Sequence, residues 1–225
     1  MTTTLPEAPA LKTWTKRPGA GARFKTFMTG GGGVVLALLV VILAVIIINN
    51  PNAGEPQSLI NSLHRATPLM LLAIGQYFVI IMGEFDLSVG AIVTTQAAVA
   101  GTLIAGEDSR TYPVIALMLV LAVAIGLVNG LVVTQLKVPS FITTLAMMLV
   151  LVGGVSLWVG GGIVKGELSD EFRTWGRAIN GIDLGFSTIS WAVVITLVTA
   201  ALAILLIRSA YGRTLISAGG RASTV

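Results

Sequence analysis

Six stretches of this 225-residue chain carry no charged residue at all: 26–54, 66–83, 87–106, 111–136, 138–164 and 184–207, together 144 residues. A bilayer core of about 30 Å needs roughly 20 apolar residues for each helical crossing, so each stretch is of membrane length or close to it. The chain is 55% hydrophobic and 11% charged, with a mean hydropathy of +0.91, whereas soluble domains are about 25% charged. A cytosolic enzyme built around one packed core is excluded. The runs are continuously apolar rather than alternating, which disfavours a membrane β-barrel. The fold class is therefore an all-α polytopic membrane protein with about six transmembrane helices.

The spans are expected at about 30–49, 59–82, 87–105, 113–135, 140–159 and 188–207, forming a bundle over 29–207. Pro139 separates the fourth from the fifth, because proline inside a helix removes a hydrogen bond. Residues 1–28, rich in Thr, Pro, Gly and basic residues, read as a disordered tail. The tail holds Lys12, Lys16, Arg17, Arg23 and Lys25, and such a tail stays in the cytoplasm. With six alternating crossings, nine basic residues lie inside and five outside, so both termini are expected to be cytoplasmic. A cleavable signal peptide fits less well, since the tail is long and no small-x-small site follows Ile48. The net charge of +4 and pI near 9.8 mark membrane topology here rather than nucleic-acid binding. The chain has no cysteine, which removes disulfides, metal thiolates and a thiol nucleophile.

Gly83-Glu84-Phe85-Asp86-Leu87-Ser88-Val89-Gly90 is the most informative segment, because it sets two carboxylates between apolar runs only three residues apart. Charges within the bilayer are costly and usually face a cavity or a polar partner. Two readings fit together. Gly83 ends the second span in a left-handed cap with Asp86 as N-cap of the third, and the two acids line a hydrophilic pathway. Asn61, His64, Gln76, Gln96, Asn129, Thr143 and Thr144 are the other polar groups within or beside spans. Each can face such a cavity or bond a neighbouring helix. Ala122, Gly126 and Gly130 recur every four residues, a spacing that lets another backbone approach closely. His64, beside Arg65, reads as an interfacial residue. No phosphate-binding glycine loop, catalytic triad or metal-ligand spacing is present in the sequence, so neither a cofactor nor a metal is expected. The segment from Arg208 to Arg221 reads as a short basic element on the cytoplasmic side, with Tyr211 and Leu215 on one helical face. It can lie on the lipid surface or dock into a partner's groove.

Four strings, in order, carry a resemblance: Gly83 to Gly90; Asn129-Gly130-Leu131-Val132-Val133-Thr134; Val138-Pro139-Ser140-Phe141-Ile142-Thr143-Thr144-Leu145-Ala146-Met147-Met148; and Tyr211-Gly212-Arg213 followed by Gly219-Gly220. Over about Ser58 to Gly220 the chain resembles the permease subunit of ribose-type bacterial ABC importers, in the group that also holds branched-chain amino-acid permeases. The resemblance implies a multi-pass protein of the bacterial inner membrane whose partners are a second permease subunit, a periplasmic sugar-binding protein and cytoplasmic ATP-binding subunits. ATP hydrolysis would reside in those subunits, so the chain itself is expected not to be an enzyme. It further implies that 208–225 begins the segment coupled to the ATPase, with Tyr211, Gly212, Arg213, Gly219 and Gly220 as coupling candidates. The outer segment 160–187 becomes part of the surface that receives the binding protein. Gln76, Glu84, Asp86 and Asn129 are the pathway or gate candidates.

Two departures stand out. Relatives usually read Gly-Gly-Asn and then paired alanines where this chain has Gly219-Gly220-Arg221-Ala222-Ser223, and they continue with further spans. The chain is accordingly expected to be truncated after the start of the coupling segment. The competing readings are an ion- or proton-coupled secondary transporter using Glu84 or Asp86, a non-functional permease fragment, and an intramembrane enzyme with the two acids as acid and base. The sugar itself is expected to be selected by the binding protein.

Overall fold

In the computed structural model, residues 19–161, 166–176, 181–183 and 188–222 are described. Lys12, Lys16 and Arg17 of the basic tail, together with Lys165 and Arg177, lie outside them. The chain divides into two compact units, Met1–Glu55 and Pro56–Val225.

The first unit holds α1 (Ala20–Thr29) and α2 (Gly31–Asn49), followed by a 3-10 turn over Pro51–Gly54. Helix α1 departs from the expected disordered tail over 20–28, while 1–18 lie outside the described residues. Ala, Phe, Lys and Met in AGARFKTFMT are adequate helix formers, and the helix stops only at Gly30. The turn into α2 is tight: a β-carbon on Gly33 would overlap the Met28 carbonyl oxygen.

The second unit contains α3 (Pro56–Ile81), α4 (Val89–Ile104), α5 (Thr111–Gln135), α6 (Ser140–Trp158), α7 (Asp170–Gly176), α8 (Trp191–Arg208) and α9 (Ala210–Ala222). Among the described residues, five helices are long and apolar enough to cross a membrane: α2, α3, α5 with the turn before it, α6 and α8. Helix α4 is apolar but has only 16 residues. At 1.5 Å per residue it is about 24 Å long, short of the bilayer core. The third of the six expected crossings is therefore not a continuous helix; an extended stretch precedes it.

Burial runs opposite to that of a soluble protein. The fully buried apolar set is small, with Val99, Ala100, Ile104 and Val114 forming one cluster where α4 ends and α5 begins. Leu119, Val120, Val123, Leu197 and Leu205 are more than 60% exposed, as expected where lipid rather than water surrounds the bundle. Buried positions go instead to small hydroxyl residues such as Thr67, Ser88, Thr111, Thr144 and Ser190.

Segment 166–176 closes the end of the bundle at which α4 finishes. Ser169 caps α7, its hydroxyl accepting from the Phe172 amide at 3.1 Å and lying 2.5 Å from the Thr111 hydroxyl. Asp108 accepts from the Glu171 amide at 3.0 Å, and the Gly106 amide donates to the Glu167 carbonyl at 2.7 Å. Leu168 and Phe172 pack on the buried cluster. A short antiparallel ribbon pairs β1 (Gly181–Asp183) with β2 (Thr188–Ser190), Ile182 opposite Ile189; the all-α reading contains no strands. Ser190 then leads into α8, and its hydroxyl meets His64 Nδ1 at 2.7 Å.

Candidate functional site

Helix α3 ends because Gly83 adopts φ +77. The Gly83 amide donates to the Ile80 carbonyl at 2.9 Å and the Glu84 amide to the Val79 carbonyl at 3.2 Å, the paired bonds of a Schellman cap. The chain then runs without helix until Val89. Such backbone inside a membrane bundle is tolerated only where its polar groups find protein partners or line a cavity.

Partners come from three helices. Ser140 Oγ accepts from the Phe85 amide at 3.2 Å and Thr144 Oγ1 from the Leu87 amide at 3.1 Å, one helical turn apart on α6. Gln76 of α3 donates to the Asp86 carbonyl at 2.8 Å. Asn129 of α5 donates to Ser88 Oγ at 3.1 Å, and Ser88 Oγ donates to Asp86 Oδ1 at 2.6 Å. Ser88 is fully buried and Asn129 is 8% exposed. Asn129 lies six residues before the end of α5, about 9 Å of helix rise, so the segment sits inside the bundle rather than on its rim.

Asp86 corrects the sequence reading in one respect. It is not the N-cap of α4: the residue before that helix is Ser88, and no side chain caps it. Oδ1 of Asp86 instead takes the Ser88 amide at 2.8 Å and the Ser88 hydroxyl, an Asx turn two residues earlier. The Asp86 carbonyl, which an earlier start would offer to the next turn of the helix, accepts from Gln76 instead.

Beside the segment lies a cavity of about 330 Å³, lined by Met82, Glu84, Phe85, Asp86, Asn129, Ser140 and Thr144 among others. The Glu84 side chain makes no hydrogen bond or ion pair among the described residues. Asn129 Oδ1 is buried without a partner among the described residues. Gly126 and Gly130 also line the cavity, and a β-carbon on either would meet nothing within 4 Å. The expected close approach of a second backbone along that glycine face does not occur among the described residues; Gly126 and Gly130 form cavity wall instead.

All four pathway candidates thus converge: Gln76, Asp86 and Asn129 are linked through the segment, and Glu84 projects beside them. Thr144 joins them. The other polar groups go elsewhere. Gln96 donates to the Met118 carbonyl, Thr143 bonds back to Pro139, Asn61 accepts from Gln57, and His64 meets Ser190. Ser88 and Ser140 were not singled out from sequence, although both stand in the quoted strings; a serine in a span carries no periodic signal. The coupling candidates lie on α9. Tyr211 is 62% exposed, and Arg213 donates to the Arg208 carbonyl at 3.1 Å. Gly212 packs on the Ile207 backbone and Gly219 on the end of α3, while Gly220 follows in the same helix.

A bundle of membrane-length helices, with irregular backbone held by polar side chains beside a cavity, defines a multi-pass membrane protein. Residues 58–224 match the family described as the branched-chain amino acid transport system permease component, and the chain belongs to that family. It is 31% identical over 151 residues to the ribose import permease protein RbsC of Escherichia coli (strain K12), covering 67% of this chain and 47% of that protein. The ribose import permease protein RbsC of Bacillus subtilis (strain 168) is 34% identical over 175 residues, covering 76% and 52%. The autoinducer 2 import system permease protein LsrC of Escherichia coli (strain K12 / DH10B) is 32% identical over 163 residues, covering 72% and 46%. The chain spans about half the length of the curated relatives it matches. No solved structure matches it. The similarity places it with ribose-type permeases of the inner membrane.

Proposed function

We propose that the chain acts in the permease subunit of an ATP-driven importer, moving a ribose-type monosaccharide across the inner membrane by alternating access. A separate ATP-binding subunit, a periplasmic sugar-binding protein and a second permease subunit complete the transporter. Both ends of the chain face the cytoplasm, 1–28 as the basic tail and 208–225 as the start of the coupling segment. The observation that carries this reading is the Gly83–Ser88 segment, whose cavity is walled in part by the Glu84 carboxylate and by Asn129. The Glu84 carboxylate is an acceptor suited to the hydroxyl donors of a neutral polyol, and the volume lies within the usual range of about 300–1,000 Å³ for small-ligand cavities. The names of the relatives, ribose import and autoinducer 2 import, set the solutes to try first.

The unpaired Glu84 favours one alternative, coupling to protons or another cation. Uptake of labelled ribose into vesicles containing the full-length permease, the ATP-binding subunit and the binding protein separates the two. Expected is uptake that needs ATP and persists with a protonophore. Uptake that ignores ATP, stops when the gradient collapses and is lost in Glu84→Gln assigns the chain to secondary transport. In the ATP-driven case Glu84→Ala lowers uptake about tenfold, the scale of one hydrogen bond of about 1.4 kcal/mol, with ATP hydrolysis retained.

A further inference from the structure

One glycine joins the C-terminal helix to the cavity segment. A β-carbon built on Gly219 would overlap the Ile81 carbonyl oxygen and fall 3.0 Å from the carbonyl carbons of Ile81 and Met82. These are backbone atoms, so no side-chain rearrangement relieves the overlap, and only glycine lets α9 seat on the end of α3. Leu215, one turn earlier on the same face, is half-buried. Two residues beyond Ile81 the chain turns at Gly83, and the amides of Met82, Gly83 and Glu84 are all tied back to Val79 and Ile80 within 3.2 Å. Beyond these, Phe85 and Leu87 are bonded to α6. There is no slack between the Gly219 contact and the residues that wall the cavity.

We infer that Gly219 is a positioning residue, through which a displacement of α9 reaches the Gly83–Ser88 segment by direct backbone contact at Ile81, independently of the covalent route through α8. Two packed states of this contact bias two arrangements of the segment, which is what a coupling between distant sites requires. The inference deepens the proposed transport function and rests on it for its consequence, while the contact can be tested on the chain alone.

Because the chain has no cysteine, Thr134→Cys, on the cavity wall, is its single reporter site for maleimide labelling in membranes that contain this chain. Adding Gly219→Ala is expected to change its labelling rate about threefold, a shift of about 0.65 kcal/mol in local opening. In the assembled transporter with native Thr134, Gly219→Ala is expected to lower uptake roughly tenfold, within the range of coupling effects, with ATP hydrolysis close to wild type. Unchanged labelling overturns the inference, as does a parallel loss of uptake and ATP hydrolysis, which places Gly219 at the ATPase surface. If Gly219→Ala does not accumulate, Leu215→Ala decides: a labelling change supports the contact route and none overturns it. A wild-type complex without ATP-dependent uptake defeats the transport reading and leaves the labelling result standing.

Discussion

Ser88 joins two parts of the bundle. Its hydroxyl receives the Asn129 amide and gives its proton to Asp86, while its own amide bonds the same carboxylate. Ser88→Ala therefore strips Asp86 of one donor and leaves Asn129 with neither polar atom paired. An unsatisfied buried group costs about 1–3 kcal/mol, so the detergent-solubilised variant is expected to melt earlier than wild type; an unchanged midpoint removes the relay from the account. Gly83→Ala tests the turn itself. At φ +77 a β-carbon costs about 1–2 kcal/mol, and the same melting experiment should register it. The left-handed role of Gly83 was legible from its position after an apolar run. The Asx turn of Asp86 was not, because the path of the segment before α4 depends on its backbone bonds to Ser140 and Thr144, more than 50 positions away.

At the level of elements, the uncharged stretches correspond to helices except where tertiary contacts intervene. Helix α3 begins at Pro56 and carries His64 and Arg65 into its first half, although the charge-free run starts at 66. Helix α4 is cut to 16 residues by the extended segment before it. Helix α7 went unread: the run Ser169-Asp170-Glu171 is a good N-terminal signal, but seven residues bury too little for periodicity to show. Its stability comes from the Ser169 cap and the bonds to Thr111 and Asp108. Ser169→Ala is expected to cost about 0.5–2 kcal/mol and to speed amide exchange across 166–176, with little change in α5. Exchange that stays slow there would mean that Leu168 and Phe172 hold the segment without the cap.

For the whole molecule, orientation is the property to measure. With both ends facing the cytoplasm, Arg173→Cys should react with an impermeant maleimide on intact cells, and Thr214→Cys only after permeabilisation. The reverse pattern turns the bundle over, and with it the assignment of α9 to the ATPase side. What the sequence determined by itself is the kind of solvent the chain lives in, the approximate number of crossings and the family strings, because these follow from charge spacing and local order along the chain. Tertiary structure alone decided which polar residues meet. Gln76, Asp86, Ser88, Asn129, Ser140 and Thr144 come from three helices and one extended segment, and hydrogen bonds between positions so far apart leave no periodic trace. The cavity and the seating of Gly219 on Ile81 have the same origin, since both depend on how closely separate backbones approach.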